Sequence, residues 1–462
     1  MGGKDIFTAL KYTNPRHAQR TPVLEHDGEQ FTTFEQKATL FHRTMFPPPP
    51  TFPNAADRSP PETVLAWEPV TDTEVRTAIF SSASNKAPGP DGIPFLCLKE
   101  AYGAIPHLFN TLYATLAGEG YHPMIWRDAT TAVIPKPKKP DYTAPKAYRP
   151  VALLNCLGKT LEKIMARRLG FMAEAHELLH QDQIGGRRQR NAVDAVIALT
   201  HEVDMAKSSN MVTSALFMDV KGAFDNVSKE RLLCTMEDMG LPPPVLRWTN
   251  HFLSKRRSGM AFDGEKEKMR LVTTGIPQGS PISPILFLIY LKPLFDEINK
   301  KLPHIWCPSY IDDVGLVVSG KTLGSNSRIL EQGVKAVFSW ASRNAVKFDD
   351  DKSELLHFHT KRTEDTSHSA KVTLPNGTVV EAGKIVRWLG VFLDRKLAMK
   401  EHVRIKKEAA RRALMGLSRL ANTESGLSPM AVRQLYVACI TPISDFGAEL
   451  WVGNRARPRY PN

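Results

Sequence analysis

Short apolar runs of strand type alternate with longer amphipathic runs of helical period along the 462 residues. Residues 1–45 are polar and mixed, with one helical pattern from Phe34 to Phe41, and Pro47–Pro50 with the loose stretch to Pro61 reads as a linker or boundary. Thr71-Asp72-Thr73-Glu74 is a capping box that opens a helix with Val75, Ala78 and Ile79 on its apolar face. The run Asn85-Lys86-Ala87-Pro88-Gly89-Pro90-Asp91-Gly92 ends that helix and is either punctuation or a specialised turn. Thr131–Ile134 and Val151–Leu154 read as two strands joined by a loop that carries Lys136, Lys138, Lys139 and Arg149. That loop is a candidate phosphate-gripping hairpin or simply a solvated loop of lysines. Helical periodicity runs from Lys159 to His180, and the basic cluster Gly185–Arg190, with Arg187 and Arg188, precedes a helix through Ala206.

Three later stretches carry candidate chemistry. The apolar run Ser214–Met218 ends on Asp219, and Gly222 is expected to turn the chain into a helix with Asp225 and Asn226 in its first turn. On that reading Asp225 is a helix-start acid that complements the dipole. Gly275–Pro284 is a loop shaped to lie against something: Gly279 leaves room for a flat ligand, and Gln278 offers both a donor and an acceptor. An apolar helix follows through Phe295. Tyr310-Ile311-Asp312-Asp313 reads as the tip of a strand, tight turn and strand. Two ionised carboxylates about 4 Å apart repel by roughly 4 kcal/mol at an effective dielectric near 20. A divalent cation would neutralise them, although an isolated Asp-Asp pair is more often plain turn chemistry. Farther on, Val346-Lys347-Phe348 leads to Asp351-Lys352-Ser353-Glu354-Leu355, and Arg387–Asp394 reads as strand, glycine and strand. From Lys400 the pattern is helical to the end, with Arg404, Lys406, Lys407, Arg411 and Arg412 facing either a phosphate backbone or solvent.

Apolar residues at 42% and charged residues at 24% are ordinary, whereas a net charge of +13 and a pI near 9.4 point to a polyanionic partner, nucleic acid before membrane surface. The length suggests two to three structural units. Cys97, Cys156, Cys234, Cys307 and Cys439 show no C-x-x-C spacing, which argues against a disulfide framework or a cysteine zinc site and for a reducing, intracellular setting. There is no secretory start, and the apolar stretch Ile282–Leu294 is too short and interrupted to span a bilayer. Asp219 with Asp312 and Asp313, at two strand tips, is the set needed to hold two divalent ions about 3.5–4 Å apart for nucleotidyl transfer.

In order and spacing these stretches resemble the reverse transcriptase domain of non-LTR (LINE-type) retrotransposons, with fungal or related elements closest in kind. Asn85–Pro94 resembles the K-A-P-G-P-D-G-I segment; Ile134-Pro135-Lys136 and Tyr148-Arg149-Pro150 look like fingers motifs, and Lys159 with Glu162 follows the K-x-x-E pattern. Phe217–Val227 is similar to motif A, Gly275–Pro284 to motif B and Tyr310–Asp313 to motif C. Lys347–Phe358 looks like motif D and Trp388-Leu389-Gly390 like motif E, so the resemblance covers roughly residues 30 to 450. It implies an α+β right-hand polymerase with fingers, a palm built on an antiparallel sheet, and a helical thumb. The implied boundaries are an N-terminal extension with its Pro-rich linker at 1–60, fingers at 61–208, palm at 209–396, and thumb with the start of a truncated connection at 397–462. The implied activity is RNA-directed DNA synthesis from a DNA primer on an RNA template. Asp219, Asp312 and Asp313 match the metal triad for two Mg²⁺ ions, or Mn²⁺, with the Val220 carbonyl a further candidate ligand. Phe224 matches the aromatic under the sugar, Gln278 and Gly279 the pair beside the incoming dNTP, Lys136 and Arg149 the residues on its triphosphate, and Lys352 the motif D lysine, a candidate general acid. Arg187, Arg188, Arg404, Lys407 and Arg411 are expected on the nucleic acid. The resemblance also implies a setting in the nucleus and in a cytoplasmic ribonucleoprotein.

Family members commonly carry an endonuclease before this domain, and some carry a ribonuclease H domain or a Cys/His knuckle after it. None of these is visible in the sequence, as expected of a fragment or a degraded copy. Three alternatives compete: a decayed relic that only binds nucleic acid, a group II intron-type maturase, and a metal-dependent nuclease. The last would need neither Gln278-Gly279 nor an aromatic at Phe224.

Overall fold

The computed structural model describes residues 20–48, 63–137, 139–359, 370–421 and 426–452. Most of the Pro-rich linker expected at 47–61 lies outside them. A hairpin of β1 (Leu24–His26) and β2 (Glu29–Phe31) leads into the helix Phe34–Met45, closed at its start by a Thr33–Gln36 capping box. The box expected at Thr71–Glu74 opens the helix Asp72–Phe80.

Strands β3 (Asp128–Pro135) and β4 (Tyr148–Leu154) pair antiparallel across the basic loop, with Ala132 opposite Val151. β5 (Val212–Asp219) belongs to a second sheet, while β6 (Arg256–Phe262) runs parallel to β3 and also pairs with β7 (Glu265–Lys266) and β8 (Arg270–Val272). An aromatic cluster of Phe34, Phe41, Tyr148 and Phe262 fastens the N-terminal helix onto the β3–β4–β6 sheet.

The second sheet has the order β11-β5-β10-β9, with β9 at Ser309–Tyr310, β10 at Asp313–Gly320 and β11 at Glu354–Phe358. Its two middle strands are buried on both faces, and the two-residue period of a strand sorts their side chains into separate cores. Leu216, Met218, Val314, Leu316 and Val318 face the larger core, with the buried helix Ser283–Lys301 and the helix Leu323–Arg343. Ala215, Phe217, Val317, Leu356 and Phe358 face the smaller one, with the helix Ala192–Ser208. That core also takes Trp388, which stacks on Phe217 at 4.8 Å between ring centroids. The helix Ser283–Lys301 is thus a core helix, and among the described residues no helix is long and apolar enough to cross a membrane.

A short pair, β12 (Val372–Thr373) and β13 (Val379–Val380), precedes the hairpin of β14 (Ile385–Trp388) and β15 (Val391–Asp394). Its two-residue turn has Leu389 at φ 49° and Gly390 at φ 81°, the left-handed pair that suits the twist of a tight hairpin. Helices Lys400–Ser418 and Pro429–Leu435 and shorter turns complete the described chain, in keeping with the helical pattern expected after Lys400.

One expected element is absent. Residues 221–226 form successive turns, and the helix begins at Lys229 behind the Ser228 cap. The backbone here is claimed from outside: Ile276 N–H donates to the Phe224 carbonyl at 2.8 Å and Gly275 N–H to the Val227 carbonyl at 3.0 Å. The Asn226 amide closes the turn by donating to the Lys221 and Gly222 carbonyls.

The Pro/Gly run before Phe95 is more than punctuation. A Cβ on Gly89 would lie 2.3 Å from Asn155 Oδ1 and 2.4 Å from the Asn155 nitrogen, so only glycine lets the turn rest on the end of β4. Gly89→Ala should therefore cost about 1–3 kcal/mol through overpacking. Gly103→Ala, at an exposed helical glycine whose Cβ would meet nothing within 4 Å, should gain about 0.5–1 kcal/mol. Urea unfolding of the two variants beside the unmutated chain checks both signs.

Candidate active site

The ends of β5 and β10 bring the acids together. Asp313 pairs directly with Asp219, and Val220 N–H donates to the Asp312 carbonyl at 3.0 Å. Asp313 also pairs with Tyr310, which leaves Ile311 and Asp312 as the turn. Ile311 adopts φ 59°, a conformation a β-branched residue takes only where its surroundings enforce it. Part of that enforcement comes from Gly185. Ile184 and Gly185 N–H both donate to the Ser309 carbonyl, and a Cβ on Gly185 would lie 2.6 Å from Tyr310 Cα. The cluster read as basic thus also contributes a glycine that seats the acidic turn.

Crowded carboxylates at a half-buried strand end are hard to ionise. Burial, then Asp312 and Asp219, push Asp313 up to about 7, and burial followed by Asp219 raises Asp312. Lys352 answers part of this charge, its Nζ lying 2.5 Å from Asp219 Oδ2 and 2.8 Å from Asp349 Oδ2. Burial works against the ammonium, yet hydrogen bonds to those two acids carry its pKa above the ordinary value.

Lys352 also has basic neighbours. Lys136, half-buried at the end of β3, donates from Nζ to the Lys146 carbonyl at 3.0 Å. Its pKa is lowered first by burial and then by the charges of Lys352, Lys139 and Arg149. Arg149 is exposed on β4. Lys136, Arg149 and Lys352 therefore share one electrostatic neighbourhood.

The loop Gly275–Ser280 bonds both to β4 and to the turn that follows β5. Ala152 N–H on β4 donates to the Gln278 carbonyl at 2.6 Å. Gly279, at φ 119°, has its would-be Cβ 2.7 Å from the Ala152 carbonyl, so the space left by the missing side chain receives β4 where a flat ligand was expected. The Gln278 amide donates to Asp225 Oδ1 at 3.0 Å. Asp225 is pushed up to about 6, by burial first, against the pull of Gln278, Lys136 and Arg256. Buried Arg256 donates from one terminal nitrogen to the Thr274 and Gly275 carbonyls, both at 2.6 Å. Phe224 packs its ring 5.4 Å from that of Phe287. Neither Arg256 nor the tie between Asp225 and Gln278 was legible from spacing; the switch of Gly222 to a positive φ of 58° is the local signal that the chain turns there instead of entering a helix.

The expected nucleic-acid residues are differently engaged. Arg187 forks onto Glu174 and donates to the His180 carbonyl, and Arg404 is held between Glu401 and Glu408. Arg188, Lys407 and Arg411 are exposed.

Asp219, Asp312 and Asp313 are carboxylates at one strand end, hard oxygen donors whose chemistry fits a divalent cation such as Mg²⁺. Among the described residues no three His, Cys, Asp or Glu side chains converge as a finished cage; Lys352 instead holds Asp219 toward Asp349.

Comparison with known proteins adds an independent line. The family model described as "Reverse transcriptase (RNA-dependent DNA polymerase)" matches residues 134–393. The chain is 24% identical to the Drosophila melanogaster protein named "Probable RNA-directed DNA polymerase from transposon BS", over 99% of this chain and 51% of that protein. It is 24% identical to the RNA-directed DNA polymerase from mobile element jockey of the same organism, over 85% and 42%. It is 23% identical to the Pol polyprotein from type-1 retrotransposable element R1 of Bradysia coprophila, over 94% and 42%. The chain thus spans about half the length of these relatives or less, and none of the three bears on a fungal affinity. Among solved structures, an apo telomerase from Candida tropicalis aligns with TM-score 0.40 at 10% identity, over 64% of this chain and 59% of that one, too loosely to argue from.

The raised pKa of Asp313 has a thermodynamic consequence. Between its ordinary 3.8 and about 7 the folded chain binds a proton that the unfolded chain has released, so this group's contribution to stability falls as pH rises through that window. Asp313→Asn should therefore leave stability near pH 4 unchanged and raise it at pH 8 by about 1–3 kcal/mol in metal-free buffer. Thermal unfolding at the two pH values checks this, and equal melting temperatures of the two chains at pH 8 would mean that Asp313 ionises in the folded chain without cost to stability.

Proposed function

The chain belongs to the reverse transcriptase (RNA-dependent DNA polymerase) family, and on that premise we propose that it extends a DNA 3′ end on an RNA template, as in the target-primed reverse transcription of a non-LTR retrotransposon. The observation that carries the reading is the meeting of two charge groups through Lys352: Asp219, Asp312 and Asp313 at one strand end, and Lys352, paired with Asp219, in one electrostatic neighbourhood with Lys136 and Arg149. Phosphoryl transfer asks a protein mainly for alignment and electrostatic stabilisation, and this arrangement supplies both.

The three acids, with the Val220 carbonyl, would hold two Mg²⁺ or Mn²⁺ ions, which when bound lower the pKa of a primer 3′-hydroxyl and offset charge on the departing pyrophosphate. Lys136 and Arg149 bind the triphosphate of a dNTP. Lys352, protonated at Nζ, is the proton source for pyrophosphate. Gln278, its amide turned toward Asp225, keeps its oxygen for the nucleotide side of the loop, and Phe224 lies under the sugar. In this reading the β5–β10 sheet is the centre of a palm at 209–396, the β3–β4 hairpin belongs to fingers at 61–208, and the helices from 397 form a thumb. Exposed Arg188, Lys407 and Arg411 would meet the nucleic acid directly, whereas Arg187 and Arg404 would first have to leave their acids. The work is intracellular, in the nucleus and in a cytoplasmic ribonucleoprotein.

Primer extension on an RNA template with Mg²⁺ tests the reading. The chain should synthesise DNA, and the Asp312→Asn, Asp313→Asn double variant should lose at least about a thousandfold in rate, the equivalent of several kcal/mol of transition-state stabilisation. A folded, nucleic-acid-binding chain that makes no DNA would transfer the argument to the relic that only binds. Phe224→Val should raise ribonucleotide incorporation relative to deoxyribonucleotide on the order of tenfold to a hundredfold, because a hydrocarbon wall discriminates sterically; an unchanged ratio in steady-state extension removes the role given to Phe224.

A further inference from the structure

Between Thr274 and Ser280 the loop receives three ionisable side chains from three separate elements. Arg256 holds the carbonyls of Thr274 and Gly275, Asp225 holds the amide of Gln278, and Glu162, from the helix Cys156–Ala175, holds Ser280. The first two face each other as opposite charges. Glu162 is different: it is fully buried, accepts from the Ser280 hydroxyl through Oε2, and finds no donor for Oε1 among the described residues. A buried carboxyl with one donor is costly, and burial accordingly pushes it up to about 7, with Ser280 and Lys159 pulling the other way. An apolar side chain of similar volume would fill the space at lower cost, so packing alone is a poor reason for a glutamate here.

The carboxyl fixes a direction. With its hydrogen committed to Glu162, the Ser280 oxygen faces the Ile282 N–H at 3.4 Å, immediately before the helix Ser283–Lys301 begins. Ser283 Oγ then donates back to the Pro277 carbonyl at 2.7 Å. The two residues between the Pro277 and Ser280 anchors are Gln278 and Gly279, and Gln278 itself carries the Asp225 contact.

We propose that Glu162 is a positioning residue of the polymerase site, acting through Ser280 to hold Gln278 and Gly279 in the conformation that receives the incoming nucleotide. The inference rests on the polymerase reading and adds a residue that touches neither substrate nor metal. Such a residue governs nucleotide affinity before it governs chemistry.

Steady-state primer extension with a varied dNTP tests it. Ser280→Ala should raise the KM for dNTP about tenfold, the size of one buried hydrogen bond lost with its partner left behind, while kcat falls by less than about threefold. Glu162→Gln, whose amide oxygen still accepts from Ser280, should keep a KM near that of the unmutated chain. Glu162→Ala should match Ser280→Ala, and the double variant should be no worse than either single one, as coupled partners require. Should Glu162→Ala fail to fold, the comparison of Ser280→Ala with Glu162→Gln carries the test. A polymerising chain whose Ser280→Ala variant keeps its KM, or whose Glu162→Gln variant shows the same rise in KM as Ser280→Ala, overturns the positioning role and leaves the polymerase reading standing. Absence of extension by the unmutated chain removes both.

Discussion

The register of β5 against β10 is the constraint on which the rest depends. It sets Asp219 opposite Asp313, and the same pairing sends Leu216 and Leu316 into one core and Ala215 and Val317 into the other. Because side chains alternate with a period of two, a slip of one residue would turn both cores inside out and leave the acids facing different ways. The hydrophobic effect acting over two strands therefore fixes the relative position of the catalytic candidates more firmly than any interaction between them. That interaction is repulsive, as the raised pKa values of Asp312 and Asp313 record.

What was legible in the sequence follows from this. Period and capping belong to the local chain, so the Thr71 box, the β3–β4 pair, the strand ending at Asp219 and the β14–β15 hairpin were all readable from residues a few positions apart. Features whose cause lies far along the chain were not. Residues 222–228 look like a helix start until Gly275 and Ile276 take their carbonyls. Gly279 looks like room for a ligand until Ala152 arrives from another sheet. Arg256 has no distinguishing neighbours in sequence, and its importance appears only when its terminal nitrogen meets two carbonyls 18 and 19 residues on.

Lys352 shows how a single cation can serve fold and site together. Its ammonium bridges Asp219 to Asp349 and so ties the end of β5 to the segment that begins β11. Half of its side chain remains open to solvent, and exposed ion pairs contribute little and exchange readily. The bridge is thus weak enough to open, yet it reduces the unrelieved negative charge in the folded chain.

The opposed charges have a further meaning on the polymerase reading. Acids that resist ionisation and a lysine whose charge is disfavoured by burial and by its basic neighbours are both unfavourable in the chain by itself. Relieving either alone would leave the other, since Lys136 and Asp313 are each disfavoured by burial and by their own like-charged neighbours. On that reading a divalent cation carrying a triphosphate would relieve both at once, and a ligand that binds only the folded state adds its affinity to stability. On that reading the same electrostatics would favour the metal–nucleotide pair over either component, with the loop from Gly275 to Ser280, held by Arg256, Asp225 and Glu162, fixing the protein side of the site.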